Sequence, residues 1–376
     1  MTAASRLHRL GEHGQSVWID YLSRDLLRSG ELDRLVREDA VVGVTSNPTI
    51  FQHALAHSNA YDAQIRELLP VGLSPKDLFF ELACTDVAAA CDVLRPVWER
   101  TGGQDGYVSI EVDPNLAHNT AEQCAEAKRL HEKIARPNAY VKIPATRAGL
   151  GAIEDSVASG RSINVTLIFS IDRYVEVARA YLKGLVRFRA RGGDISTVRS
   201  VASFFVSRVD AETDRRLDEL RAVPELKGKL GIANARLAYA RYREIFSPEN
   251  IAWSELAAAG AQPQRCLWAS TSTKNPTYRD VRYVEELIGP ETVNTMPETT
   301  LRAFADHGVV APTLERGRAD AHLLLDRLVR AGVDYHEVVE QLEREGIEKF
   351  IVSFTELLTG LEAKTRALTP TAGAVR

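Results

Sequence analysis

Of the 47 basic residues in this 376-residue chain only ten are lysines, and Lys142 alone lies inside a strand-like apolar run, AYVKIPAT from Ala139. A lysine turned into an apolar-walled interior near other cations has its ammonium destabilised, and the neutral amine can then attack a carbonyl carbon. Schiff-base chemistry also needs a proton shuttle, because the carbinolamine must lose water. Glu111, between Ile110 and Val112, could serve directly or through a water held by Asn164 and Thr166, which stand two apart on one strand face. Asp20, between Ile19 and Tyr21, is a third ionisable group set among apolar neighbours. The same residues fit a buried Lys142–Glu111 ion pair with no chemistry equally well.

An anion site has separate candidates. Ser203 and Arg208 near the end of one run, and Ser270, Thr271, Ser272 and Lys274 after the next, offer a guanidinium fork and short hydroxyl bonds. Asn47 in TSNPT ends a strand-like run, where Asn and Pro also occur for backbone reasons alone. The nine histidines form no HExxH pair and the four cysteines no CxxC pair, and no GxSxG elbow is present. Metal and serine or cysteine hydrolase chemistry therefore rank low, and the histidines read as solvated or structural.

These residues must be carried on something. Eight short apolar runs start at Ser16, Ala40, Gly106, Ala139, Ile163, Val201, Arg265 and Thr292. Amphipathic stretches separate them, with Arg24 to Glu38 and Ile171 to Arg191 predicted as helices. The spacing is that of eight βα units with two insertions, expected to hold extra helices at Ser74 to Arg100 and Ala211 to Phe246. No Gly-rich dinucleotide or phosphate loop follows the first run. The alternation thus predicts an α/β fold, a (β/α)8 TIM barrel rather than an open sheet, with helices from His322 to Lys364 packed over it. In such a barrel the outer strand faces meet helices, so the polar members of each run point inward together. The expectation is one barrel domain over residues 1–368 and a loose tail over 369–376.

Composition sets outer limits. With 51 acidic residues against 47 basic, nothing predicts a nucleic-acid surface, although local anion sites remain open. The N-terminus interrupts its apolar residues with Arg, His and Glu, and no segment approaches membrane-spanning length, so no export signal and no membrane partner are expected. Sparse cysteines fit reduced thiols in a cytoplasmic protein, either monomer or homodimer.

From about Ser16 to Phe304 the chain resembles the transaldolases. The resemblance rests on TSNPTIF at Thr45, SIEVDP at Ser109, YVKIPAT at Tyr140 and INVTLIFS at Ile163, in that order, extended by SFFVSRVD at Ser203 and ASTSTKNPTY at Ala269. It is similar to the long form found in high-GC bacteria. The resemblance implies a class I aldolase barrel with no metal or organic cofactor, moving a dihydroxyacetone unit between sugar phosphates in the pentose phosphate pathway. By motif match, Lys142 would form the Schiff base and Glu111 would transfer protons through a water held with Thr166. Asp20 would assist C–C cleavage, Asn47 and Asn164 would bind dihydroxyacetone hydroxyls, and Ser203 and Arg208 would hold phosphate. Where many transaldolases carry Ala-Ser-Phe-Arg, this chain reads ASTSTKN, which makes Lys274 the candidate second cation. Related fructose-6-phosphate aldolases tend to carry Tyr where Phe205 stands, so Phe205 favours transfer over simple cleavage.

Overall fold

The computed structural model describes residues 5–221 and 223–369. Eight parallel strands close into a barrel in sequence order: β1 (Gln15–Ile19), β2 (Val41–Val44), β3 (Tyr107–Glu111), β4 (Ala139–Pro144), β5 (Ile163–Ile168), β6 (Ser200–Phe205), β7 (Arg265–Ala269) and β8 (Thr292–Met296). Each starts within one residue of the start of one of the eight apolar runs. β8 pairs with β1 from Gln15↔Thr292 to Ile19↔Met296, which removes both sheet edges.

Side-chain alternation sorts the strand residues into two layers. Outward-facing Val17, Ile19, Val108, Ile110, Val141, Ile143, Val165 and Phe204 belong to one buried apolar cluster with the surrounding helices. Inward-facing residues fill the barrel, and aromatic rings plug its N-terminal half: Tyr107 and Tyr140 stack with centroids 4.0 Å apart, and Trp18 lies beyond them. A Cβ at Gly43 would lie 2.4 Å from the Trp18 ring, so only glycine lets that indole cross the barrel floor. Below it, Arg265 meets Asp105 at 2.9 Å and Ser16 Oγ at 2.9 Å, which compensates a charge that burial would otherwise penalise.

The helices depart from expectation in three places. Arg24 to Glu38 is two helices, Arg24–Arg28 and Glu31–Glu38, because Gly30 turns at φ +74 between them. The first insertion holds Pro48–His57 and Asp62–Leu68 ahead of the expected long helix, Pro75–Arg100. The two C-terminal helices, Arg318–Arg330 and Tyr335–Leu368, take different places: the first packs on helix Leu230–Ile245, and only the second crosses the barrel's C-terminal end. The expected loose tail lies outside the described residues beyond Thr369. Among the described residues no helix is long and apolar enough to cross a membrane.

Candidate active site

The C-terminal ends of the strands surround a cavity of about 310 Å³ whose wall includes Asp20, Asn47, Lys142, Thr166, Ser203, Phe205, Arg208 and Lys274. Residues separated by up to about 250 positions meet there because they lie near or just after the C-terminal ends of six different strands. The Ser200–Phe205 run ends directly at helix Ser207–Glu219, so Arg208 in its first turn overhangs the cavity.

Lys142 and Glu111 are register neighbours on adjacent strands, both buried, with Nζ 3.4 Å from Oε2. The ammonium donates to the Ser46 carbonyl at 3.1 Å, and the Ser46 hydroxyl in turn donates to the Ser109 carbonyl at 2.7 Å. Two contacts thus hold the amine at the cavity wall. Glu111 Oε2 lies near the amine without forming a hydrogen bond, and buried Thr166 Oγ1 also lacks a protein partner. Burial pushes the Glu111 carboxyl above its ordinary range, against the pull of Lys142. A carboxyl so placed can give and take a proton near neutrality better than an exposed one.

Asp20 follows β1 and accepts a hydrogen bond from Thr45 Oγ1 at 2.7 Å. Its carboxyl is likewise pushed up by desolvation, with Lys142, the Thr45 bond, Arg208 and Lys274 pulling the other way. Asn47 has a local duty as well: it caps helix Pro48–His57, its Oδ1 accepting from Ile50 N at 3.0 Å. Asn164 lies one layer deeper, fully buried, donating to Ser109 Oγ at 3.1 Å while Ser203 Oγ donates to its Oδ1 at 2.7 Å. Ser203 is therefore tied to Asn164, on the floor side of the cavity.

The far end is cationic. The Arg208 guanidinium lies 5.1 Å over the Phe205 ring and, among the described residues, makes no ion pair or hydrogen bond. Desolvation lowers its proton affinity, and desolvation with the nearby guanidinium lowers that of Lys274, whose Nζ donates to Ser272 Oγ at 2.8 Å. Ser270, held at φ +55, shares a 2.9 Å hydroxyl bond with Ser207. Two cations without carboxylate partners beside a cluster of hydroxyls make an anion-binding end.

Sequence reasoning missed several walls of this cavity. Thr45 and Thr295 share a 2.6 Å hydroxyl bond beside Asp20, and the Ser46 carbonyl holds the lysine. Thr295 was readable as an inward polar member of β8; a carbonyl contact has no side-chain signature. Phe350 reaches the cavity from helix Tyr335–Leu368, in the segment expected to cover the barrel, but that side chain was not singled out. Among the described residues no three His, Cys, Asp or Glu side chains converge as a metal-binding group.

An inward lysine beside a carboxylate at the C-terminal end of a (β/α)8 barrel is the arrangement that class I aldolase chemistry requires. The sequence profile described as transaldolase/fructose-6-phosphate aldolase matches residues 17–361, well past Phe304 and into the covering helix. The chain belongs to this transaldolase/fructose-6-phosphate aldolase family. It is 49% identical to "Transaldolase 2" of Streptomyces avermitilis over 98% of this chain and 99% of that one. It is 51% identical to "Transaldolase" of Mycobacterium tuberculosis over 95% and 97% of the two chains. Against "Transaldolase 2" of Nostoc sp. the identity is 45% over 98% of this chain and all of the other.

Proposed function

We propose that this protein is a transaldolase of the cytoplasm, moving a dihydroxyacetone unit from fructose 6-phosphate or sedoheptulose 7-phosphate to erythrose 4-phosphate or glyceraldehyde 3-phosphate. The observation that carries the reading is a buried lysine, Lys142, lining a cavity whose wall also holds Arg208 and Lys274, with Glu111 against the amine from behind that wall. A carbonyl carbon at the lysine and a phosphate at the cations fit one phosphorylated ketose lying across it.

In the first step Lys142 Nζ attacks C2 of the ketose, and Glu111 passes protons as the carbinolamine loses water to leave a protonated imine. The C4 hydroxyl then gives its proton to Asp20 while the C3–C4 bond breaks. The bonding pair flows into the imine and leaves an enamine on Lys142. The aldose phosphate departs, an acceptor aldose enters, and the same steps in reverse form the new C–C bond and release the lysine. Asn47 and Asn164 are assigned to the dihydroxyacetone hydroxyls, Thr166 to the proton-carrying water, and Arg208 and Lys274 to the phosphate end, while Ser203, whose hydroxyl is given to Asn164, holds that amide rather than the phosphate. Asn164 would act through its remaining N–H, since one is donated to Ser109.

Transfer, rather than cleavage, requires that bulk water not reach the enamine. Phe205 and Phe350 are the apolar walls that support this reading. The test is product formation from fructose 6-phosphate with and without erythrose 4-phosphate. Turnover only with the aldose acceptor is expected; equal turnover without it would make the protein an aldolase.

A further inference from the structure

The segment bearing Lys274 is fastened to the helix bearing Arg208 by two buried carboxylates. On Ser207–Glu219, Asp210 and Asp214 stand one turn apart on the same face. Each accepts one tyrosine hydroxyl and one backbone N–H. Asp210 takes Tyr283 Oη at 2.8 Å and Gly231 N at 2.6 Å; Asp214 takes Tyr278 Oη at 2.6 Å and Gly228 N at 2.7 Å. A Cβ on Gly228, at φ +65, would lie 2.6 Å from Tyr278 Cζ, so the loop packs flush against the ring. The Arg282 guanidinium lies over that ring, 4.9 Å from its centroid, and donates to the Gly228 carbonyl. None of these residues lines the catalytic cavity.

The consequence is geometric. Tyr278 lies one helical turn's worth of residues after Lys274, and Asp214 shares a rigid helix with Arg208. We infer that the Asp214–Tyr278 pair is a positioning device that sets the separation of the two cations at the phosphate end, an inference that rests on the functional reading above. Tyr278 rather than Tyr283 is the adjustable member, because Tyr283 is fully buried within its own helix while Tyr278 is half-buried on the loop itself. A lysine grips phosphate as a point charge without fork geometry, so its distance from Arg208 governs how well both cations reach one phosphate.

The test is Tyr278→Phe, which keeps the ring and removes only Oη. KM for fructose 6-phosphate should rise about tenfold, as for loss of a hydrogen bond to a charged group, with kcat unchanged and the inhibition constant of inorganic phosphate raised alike. Imine formation with free dihydroxyacetone, which carries no phosphate, should proceed at the wild-type rate when trapped by borohydride. Asp214→Asn, able to accept from Gly228 N and donate to Tyr278 Oη, should recover most of the affinity that Asp214→Ala loses. The double variant Tyr278→Phe/Asp214→Ala should be no worse than Asp214→Ala alone. An unchanged KM in Tyr278→Phe, or an equal loss with dihydroxyacetone, overturns the proposal. Arg208→Ala and Lys274→Met separate the two ways of failing. If neither discriminates fructose 6-phosphate from dihydroxyacetone, the phosphate end is misassigned and the positioning role falls with it. If both discriminate while Tyr278→Phe does not, the positioning role alone is wrong.

Discussion

Gly346→Ala is the perturbation that asks most sharply whether helix Tyr335–Leu368 keeps water from the reaction. A Cβ at this buried position would lie 3.1 Å from Leu167 Cδ2 and 3.4 and 3.5 Å from the Phe169 ring. Carbon atoms settle at about 3.5–4.0 Å, so the helix and the strand end must part by about half an ångström. Leu167 has little room to yield, because it sits at φ +58 in an irregularity of β5 directly after Thr166, and shifting it would move a wall of the cavity. The helix is the softer partner. In stability two effects oppose: replacing a mid-helix glycine gains up to about 1 kcal/mol, and overpacking costs about 1–3 kcal/mol. The variant should fold with a net loss of no more than about 2 kcal/mol. Function is more sensitive, since Phe350 follows one turn later and a displaced helix admits water to the enamine. Glyceraldehyde 3-phosphate release from fructose 6-phosphate, measured with and without erythrose 4-phosphate, should show several-fold more acceptor-independent turnover than wild type. An unchanged ratio in a folded variant whose lowered Tm reports the displaced helix would refute the helix as a water barrier.

Glu111→Gln should lower kcat by about 10²–10⁴-fold, the usual worth of a positioned acid–base group, and steady-state turnover of fructose 6-phosphate measures it. Asp20→Asn should abolish most C–C cleavage and yet stabilise the fold. Burial holds the Asp20 carboxyl above its unfolded-state value, so the native state binds protons more readily and loses stability as pH rises through that interval. The Asn variant's advantage in Tm should therefore be present at pH 7 and vanish below the ordinary carboxylate range; an advantage that grows on acidification would reverse the sign. Arg24→Met breaks the buried Arg24–Asp86 pair, at 2.7 Å, and leaves an uncompensated carboxylate. It should cost about 3–5 kcal/mol by denaturant titration with KM unaltered.

The barrel was legible because each strand announces itself as a short apolar run and because parallel sheets need both faces covered. The inward placement of Glu111, Lys142 and Thr166 follows from side-chain parity within those runs. Other features depend on contacts that parity does not encode. Asn47 and Pro48 were readable as a helix start, yet they were read only as a turn after a strand, so the helix they begin was missed. The break at Gly30 was a glycine inside an otherwise amphipathic pattern, and its φ of +74 decided the matter. The carboxylates at Asp210 and Asp214 carry no local sign that they are buried. Only the folded structure brings Tyr278 and Tyr283 from the segment after β7 to bury them. Phe350 likewise lies in the segment expected to cover the barrel, but its amphipathic pattern does not say which apolar side chain reaches the cavity.

The most direct measurement is borohydride reduction after incubation with fructose 6-phosphate, followed by peptide mass mapping. The account predicts a dihydroxyacetone-sized adduct on Lys142 and on no other lysine, absent from the Lys142→Met protein. An adduct on a different lysine, or none on a folded protein that still turns over fructose 6-phosphate, would contradict it.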